Sequence, residues 1–243
     1  MSYKRFEFLD FTRGIAIVLM LMYHFAFGLV QLGLFNVNFS ADIFWVAFRI
    51  IIVFLFLSLV GIGLFLSTMN GLNYKRYFKR LMLLLSYLLL ISWLSYIVRP
   101  EYYVFFGILH LIFVSSIFAM FFVRFYWLNI FLVAIMMTLP FLLKNYNVIF
   151  NQPYLLWLGL NDSLFTTDDY APILPWFSFV LMGIFIARYF FEKNTLEEGQ
   201  INKIKQWKAK HWLTKIICWG GRYSIHIYFI HFQTFYLLIY LFA

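Results

Sequence analysis

The chain has 243 residues, of which 64% are hydrophobic and only 12% are charged. Soluble domains are roughly half apolar and about a quarter charged, so this composition excludes a soluble globular protein and predicts an integral membrane protein. The formal net charge of +9 indicates an asymmetry between two membrane faces, and we expect no nucleic-acid partner. The single cysteine, Cys218, excludes an intrachain disulfide.

Seven apolar segments are long enough to be membrane-spanning elements. A backbone that faces lipid must satisfy its own hydrogen bonds, which favours helices here because the segments lack the alternation of barrel strands. The predicted fold class is therefore all-α: one domain over residues 1–243, built as a polytopic bundle of about seven transmembrane helices. The predicted spans are Gly14–Leu34, Ile43–Thr68, Leu81–Val98, Tyr103–Val123, Trp127–Leu143, Pro172–Phe191 and Gly221–Phe242.

Lysine and arginine are distributed unevenly between the connections of these spans. With the N-terminus inside, sixteen of the nineteen basic residues fall on the inner side, as expected of cytoplasmic connections. We therefore predict an inside N-terminus and an outside C-terminus, in a multi-pass protein of a prokaryotic plasma membrane. The first span is not taken as a cleaved signal because Glu7 and Asp10 precede it and no small-residue cleavage site follows.

The first span contains two ionisable residues, Arg13 and His24, eleven residues apart. This spacing places them on one stripe of a helix, separated by ~16 Å along its axis. Arg13 suits recognition of a phosphate or carboxylate, and a neutral His24 near mid-membrane can accept a proton. An equally weighted alternative is that Arg13 is an interfacial anchor paired with Asp10, and that His24 makes a hydrogen bond between helices.

Two further histidines are predicted inside apolar segments. His110 lies ~10 Å into the fourth span and His231 ~15 Å into the last one. Ionisable residues at such depth are functional candidates by default. A zinc site is disfavoured because the histidines lack the i, i+4 spacing of a helical metal motif and no carboxylate lies at their depth. We predict no metal.

Polar residues also cluster in the predicted loops. After the second span, Lys75, Arg76, Lys79 and Arg80 could serve topology and lipid contact or bind a cytosolic polyphosphate. In the long outer loop, residues 144–171, the carboxylates of Asp168 and Asp169 could hold an acceptor that stacks on Trp176 beyond the loop. Entry into the sixth span would by itself explain Pro172 and Pro175. The inner loop, residues 192–215, predicts an amphipathic surface helix near residues 202–212 that contacts anionic lipid.

Four segments resemble known membrane acyltransferases. FLDFTRGIAIVLMLMYH (8–24) resembles the opening of two related groups, the heparan-alpha-glucosaminide N-acetyltransferase catalytic family and the broader acyltransferase family three, and its Arg13 to His24 spacing is similar to the signature of the second. FGILH (106–110), DYAPILPWFSFVLMGI (169–184) and GRYSIHIYFIHFQ (221–233) are more similar to the related heparan-alpha-glucosaminide N-acetyltransferase catalytic family. Relatives usually have more spans, and the lysosomal branch has no histidine at the His24 position.

The resemblance implies transfer of an acyl group, usually acetyl, from cytosolic acyl-CoA to a sugar or other acceptor outside. Acetyl-CoA is the implied donor, and an exterior glycan, membrane lipids and a second copy of the chain are the expected partners. Which histidine acts as base or nucleophile is left open. The implied catalytic residues are His24, His110 and Asp169; the donor-binding residues are Arg13, Lys75, Arg76, Lys79, Arg80 and Arg222; the acceptor-binding residues are Asp168, Tyr170, Trp176 and His231.

A different class of function is also compatible with intramembrane histidines. They could form a proton relay in a small-molecule transporter or channel. The lack of a convincing internal repeat weakens a transporter built from inverted halves. A seven-helix receptor or retinal protein is ranked last, because the final span has no lysine for a Schiff base.

Overall fold

The protein is mostly helical in the part of the chain that its computed structural model describes, which is residues 6–39, 41–69, 71–143, 147–161, 167, 169–191 and 206–242. These ranges contain no strand, which confirms the all-α prediction. The helices are α1 (Glu7–Gln31), α2 (Ile43–Thr68), α3 (Tyr74–Val98), α4 (Ile108–Phe122), α5 (Trp127–Leu142), α6 (Asn147–Phe150), α7 (Ile173–Phe191), α8 (Trp212–Arg222) and α9 (Ser224–Phe242), with 3-10 helices at Pro100–Tyr102 and Pro153–Leu158.

Several of these helices have the length and composition of membrane spans. Among the described residues, α1, α2, α3 and α7 are long and apolar enough to cross a bilayer, and α4 and α5 are apolar but shorter. Large apolar side chains such as Phe25 and Phe141 are 70% and 81% exposed, as expected where lipid is the solvent. The chain is therefore a membrane protein. The count of seven spans and the orientation of the termini stay predictions.

The fourth predicted span begins too early. Residues 103–107 form a non-helical segment, in which the Val104 N–H donates to Ser95 Oγ at 3.0 Å, and α4 begins only at Ile108. Ser92 Oγ–H also donates to the Val104 carbonyl oxygen at 2.7 Å, so two α3 hydroxyl groups hold this segment out of the helix. His110 consequently lies in the first turn of α4, and the prediction of a helix that begins seven residues before it, at Tyr103, was wrong.

The last predicted span is interrupted near its start. Helix α8 ends at Arg222, and α9 begins at Ser224. Of the amphipathic helix expected near residues 202–212, residues 207–211 are not helical, which corrects that part of the prediction, and residues 202–205 lie outside the described part. The amphipathic helix that the structure describes is α8, which begins at Trp212. Residues 207–211 do not have the pattern of a helix, because exposed Lys208 and Lys210 alternate with the less exposed Trp207 and Ala209. Apolar residues recur at helical spacing from Trp212 onward.

The chain forms two compact units, and α2 begins in one and ends in the other. The first unit, Met1–Phe56 with Lys193–Ala243, contains α1, α8 and α9, and both later helices pack on α1. A Cβ added at Gly14 would collide with the Ile217 carbonyl oxygen, and one added at Gly221 with the Asp10 carbonyl oxygen. Glycines therefore let the α1 and α8 backbones touch, as is typical of helix packing in membranes.

The second unit, Leu57–Glu192, uses the same device where α2 meets α7. A Cβ at Gly61 would collide with the Val180 carbonyl oxygen, and one at Gly183 with the Ser58 carbonyl oxygen. Helix α7 also packs on α4 and α5. The Asn129 side-chain amide donates to the Phe122 and Phe125 carbonyl oxygens at 3.1 and 2.6 Å, which satisfies the end of α4.

Candidate functional site

A charge cluster lies at the contact between α1 and α8. Asp10 is fully buried, and its Oδ1 is 3.4 Å from Arg13 Nη1 on the same helix. Its Oδ2 is 4.0 Å from Arg222 Nε at the end of α8. The Arg13 and Arg222 side chains remain 26% and 46% exposed. Two arginines thus converge on one buried carboxylate, and the planar guanidinium group suits recognition of an anion.

The structure brings His24 and His231 together. Their ring centroids are 4.9 Å apart, His24 on α1 and His231 on α9. The two Nδ1 atoms lie 2.9 Å from the Met20 carbonyl oxygen and 2.6 Å from the Tyr228 carbonyl oxygen, respectively. Since a carbonyl oxygen only accepts, each Nδ1 carries the hydrogen. In the neutral ring the lone pair is then on Nε2, which is the nitrogen able to take a proton.

Aromatic side chains extend from this histidine pair. The Tyr23 ring, next to His24 on α1, makes edge-to-face contacts with Phe39, Trp45 and Phe48 at centroid distances of 5.2, 6.0 and 6.1 Å. Phe39 is buried although it lies between α1 and α2. The segment before α2 therefore folds back against α1, and aromatic faces of this kind can pack on the apolar faces of a ligand.

His110 belongs to the second unit and has a different environment. Its Nδ1 accepts from the Gly107 N–H at 3.3 Å, and its Nε2 is 3.1 Å from Ser92 Oγ. Because the Ser92 hydroxyl donates to the Val104 carbonyl oxygen, its oxygen is the acceptor for His110 Nε2–H. Both ring nitrogens are thus engaged in bonds that hold residues 104–107 at the start of α4. Protonation at Nδ1 would break the bond from Gly107.

Asp169 lies against the same helix end. Its Oδ2 accepts from the Ile108 N–H at 2.9 Å, so a carboxylate caps the first turn of α4 from a distant part of the chain. The Ala171 N–H donates to the Phe106 carbonyl oxygen at 2.9 Å, which adds a second link. A Cβ at Gly107 would collide with the Asp169 carboxylate. The segments FGILH and DYAP are therefore one structural unit.

The remaining predicted acceptor residues are placed separately. Tyr170 Oη is 2.6 Å from the Leu156 carbonyl oxygen and 2.7 Å from Asn161 Oδ1. Burial raises the pKa of Tyr170 to about 12, so its hydroxyl is a neutral donor in this loop. Trp176, near the start of α7, is half-buried and contacts Phe179 at a centroid distance of 5.8 Å. Asp168 lies outside the described residues.

The basic cluster occupies the first two turns of α3. Asn73 caps this helix by accepting from the Arg76 N–H at 3.0 Å. All four cations, Lys75, Arg76, Lys79 and Arg80, are exposed. Cations at a helix N-terminus oppose the helix dipole and cost a few tenths of a kcal/mol to about 1 kcal/mol each. An anion bound there would be favoured both by the dipole and by these side chains.

Sequence reasoning identified the arginines and histidines but missed several neighbours. It treated Asp10 only as an alternative partner of Arg13, and it did not identify Ser92 or the aromatic residues around Tyr23. The Ser92 contact joins side chains 18 positions apart in the chain and carries no sequence motif. In the described residues, no group of three or more His, Cys, Asp or Glu side chains could hold a metal ion.

Comparison with known proteins identifies the family. The sequence model described as heparan-alpha-glucosaminide N-acetyltransferase, catalytic, matches residues 5–233. No curated protein and no solved structure matches the chain significantly. The match contains both the arginine cluster and the three histidines described above. Because it extends over nearly the whole sequence, the protein belongs to the heparan-alpha-glucosaminide N-acetyltransferase catalytic family.

Proposed function

We propose that the protein is a transmembrane acetyltransferase that takes an acetyl group from cytosolic acetyl-CoA and passes it to an amine or hydroxyl group of a sugar at the opposite membrane face. Family membership supports the reaction class. The observation that carries the proposal is the arrangement of α1, which holds the Asp10–Arg13–Arg222 cluster near one end and the His24–His231 pair about three turns further along. This arrangement suits a donor that enters from one face.

The donor's phosphates are expected at cationic side chains. Arg13 and Arg222 lie beside Asp10, and their side chains remain partly exposed, so a phosphate could reach them and accept charge-assisted hydrogen bonds. The α3 cations belong to the other unit and stay predicted donor-binding residues. In this proposal the N-terminus is cytosolic, since acyl-CoA is available there. With the seven predicted spans, the C-terminus then lies at the opposite face.

The chemical step is assigned to His24. The acceptor nitrogen or oxygen attacks the thioester carbonyl carbon and loses its proton to His24 Nε2, which the bond from Nδ1–H to the Met20 carbonyl oxygen leaves as the basic nitrogen. The C–S bond then breaks, and the departing CoA thiolate takes this proton from the His24 imidazolium, which restores the neutral ring. Holding donor and acceptor together supplies a further large share of the rate, about 7 to 11 kcal/mol in well-oriented cases.

His231, Asp169 and His110 take supporting parts in this proposal. His231 lies beside His24, close enough to contact the acceptor or donor that His24 serves. The hydrogen bonds of His110 and Asp169 favour roles in shaping the acceptor loop over direct proton transfer, because both side chains already bond the first turn of α4. Tyr170 and Trp176 remain acceptor-binding candidates.

The test uses membranes that contain the protein, labelled acetyl-CoA and an amino sugar. We expect His24→Ala to lower the transfer rate by at least about a hundredfold, the usual contribution of a general base. His226→Ala is the matched control, since His226 lies on the same helix as His231 and its ring contacts Tyr223. Equal transfer by wild type and His24→Ala, at equal expression, would contradict the assignment.

The histidine pair also fits a second function, a proton-coupled transporter or channel, because two adjacent imidazoles can pass a proton. Proteoliposomes distinguish the two. Proton or solute flux without CoA would favour transport. Thermal stabilisation of the purified protein by acetyl-CoA, lost in Arg13→Gln, would favour the transferase.

A further inference from the structure

Helix α8 presents an apolar stripe that no part of the described chain covers. Trp212 and Trp219 are 65% and 58% exposed, and they lie about two turns apart on one side of the helix. Leu213, Ile216 and Tyr223 complete this stripe and are exposed as well. The opposite side of α8 is occupied, because Cys218 and Gly221 are buried against α1. The helix therefore has one protein-facing side and one outward apolar side.

Basic residues border this stripe. Lys215 is exposed on the flank of α8, one turn from Trp212 and Trp219, and Lys208 and Lys210 are exposed just before the helix. None of the three lysines makes an ion pair within the part of the chain that the structure describes. An outward apolar stripe with tryptophans and a cationic edge is the pattern of a helix at a membrane surface, where aromatic rings lie at headgroup level.

The length of α8 excludes a full crossing. Its 11 residues extend ~16 Å, about half of a hydrocarbon core. We propose that α8 lies in the bilayer interface, with its apolar stripe among the upper acyl chains and Lys208, Lys210 and Lys215 bound to anionic phospholipid headgroups. Charge complementarity selects anionic over zwitterionic lipid, because each lysine near the surface gains from the negative headgroups.

The side of α8 that faces α1 connects the lipid contact to the Asp10–Arg13–Arg222 cluster. Glu7 Oε2 accepts from the Ala209 N–H at 3.1 Å, between two of the lysines, and Arg222 at the other end of α8 approaches Asp10. Lipid that holds α8 in the interface therefore also holds Arg222 beside Asp10 and Arg13. We expect anionic lipid bound to α8 to stabilise the contact of Arg222 with Asp10, and this expectation does not depend on the reaction that the protein catalyses.

The depth of α8 can be measured in vesicles of phosphatidylcholine and phosphatidylglycerol that contain the full-length protein. Lipids brominated near the glycerol end should quench the tryptophan fluorescence contributed by Trp212 and Trp219 more strongly than lipids brominated near the chain end. Subtracting the signals of Trp212→Phe and Trp219→Phe isolates this contribution. Stronger quenching by the deep bromines, or none by either lipid, would overturn the proposed position.

The lipid preference is tested in detergent by adding phosphatidylglycerol or phosphatidylcholine and following thermal stabilisation. We expect phosphatidylglycerol to bind more tightly, and Lys208→Gln, Lys210→Gln and Lys215→Gln each to weaken its binding by about fivefold at low salt. Arg124→Gln is the matched control, since it removes one exposed cation from the other unit. Equal effects of Arg124→Gln and Lys215→Gln, or equal binding of both lipids, would overturn the proposal. Neither readout depends on acetyl transfer.

Discussion

Two adjacent glycines in α8 provide a sharp test of the contact between α1 and α8. A Cβ at Gly220 would have the Ile227 Cδ1 atom as its nearest neighbour, at 3.8 Å, which is an ordinary van der Waals contact. A Cβ at Gly221 would collide with the Asp10 carbonyl oxygen and lie 2.6 Å from the Gly14 nitrogen. Both obstacles are backbone atoms of α1, so no side-chain rotation can relieve them.

The expected magnitudes follow from this geometry. Replacing a helical glycine by alanine gains up to about 1 kcal/mol of helix propensity, so Gly220→Ala should be neutral or stabilising. Gly221→Ala has the same gain, but it must separate the helices and pays an overpacking cost of about 1 to 3 kcal/mol. We therefore expect Gly221→Ala to be less stable than Gly220→Ala by about 2 kcal/mol. For a chain of this size that difference corresponds to a Tm difference of about 4 to 8 °C.

Thermal unfolding of the purified variants in one detergent measures this difference, and acetyl-transfer kinetics provide a second readout. Because Gly221 directly precedes Arg222, separating α8 from α1 moves Arg222 away from Asp10. Gly221→Ala should thus raise the KM for acetyl-CoA more than Gly220→Ala does. Equal Tm values and equal KM values for the two variants would refute the close approach of these backbones.

Three further substitutions address other parts of the structure. Asn73→Ala removes the cap of α3 and should destabilise the protein by about 1 kcal/mol. It should also raise the KM for acetyl-CoA, because the cations of the first two turns lose their fixed position. Asn73→Ser keeps a capping oxygen and is the control in both assays. Asp169→Ala should lower the Tm by removing the acceptor for the Ile108 N–H, and Asp169→Asn, which keeps an oxygen there, should lower it less; equal losses would contradict the capping role. Burial raises the pKa of Tyr170 to about 12, so the stability contributed by its neutral hydroxyl is complete below about pH 10 and is lost as the pH rises through 12. The Tm of Tyr170→Phe should therefore fall less over this pH range than the Tm of the wild type. Parallel Tm–pH profiles would contradict the raised pKa of Tyr170.

Most of the helix predictions followed from local patterns of apolar residues. Apolar runs located the four membrane-length helices, because lipid selects long uninterrupted segments whatever their partners. The start of α4 was missed because Ser92 and Ser95, on another helix, hold residues before Gly107 out of helical geometry. Such side-chain competition for backbone groups leaves no periodic signal in the sequence of α4 itself.

The site was predictable where its members lie on one helix. Arg13 and Asp10 are three residues apart, so their pairing follows from helical geometry alone. The neighbourhood of His24 and His231, and the capping of α4 by Asp169, depend on tertiary packing between distant segments. The resemblance supplied the residues of those segments, but only the structure indicates that Gly107 lacks a side chain because the Asp169 carboxylate occupies that space.

The central claim is that an acetyl group passes from a donor on one membrane face to an acceptor on the other, with Arg13 and His24 of α1 at the two stages. The most direct measurement uses sealed vesicles of known orientation, with labelled acetyl-CoA on the side of the N-terminus and an amino sugar enclosed on the other side. We predict labelled N-acetylated sugar in the enclosed space for the wild type and for His226→Ala, and at least about a hundredfold less of it for His24→Ala. Product that forms only when donor and acceptor share one side would contradict the account.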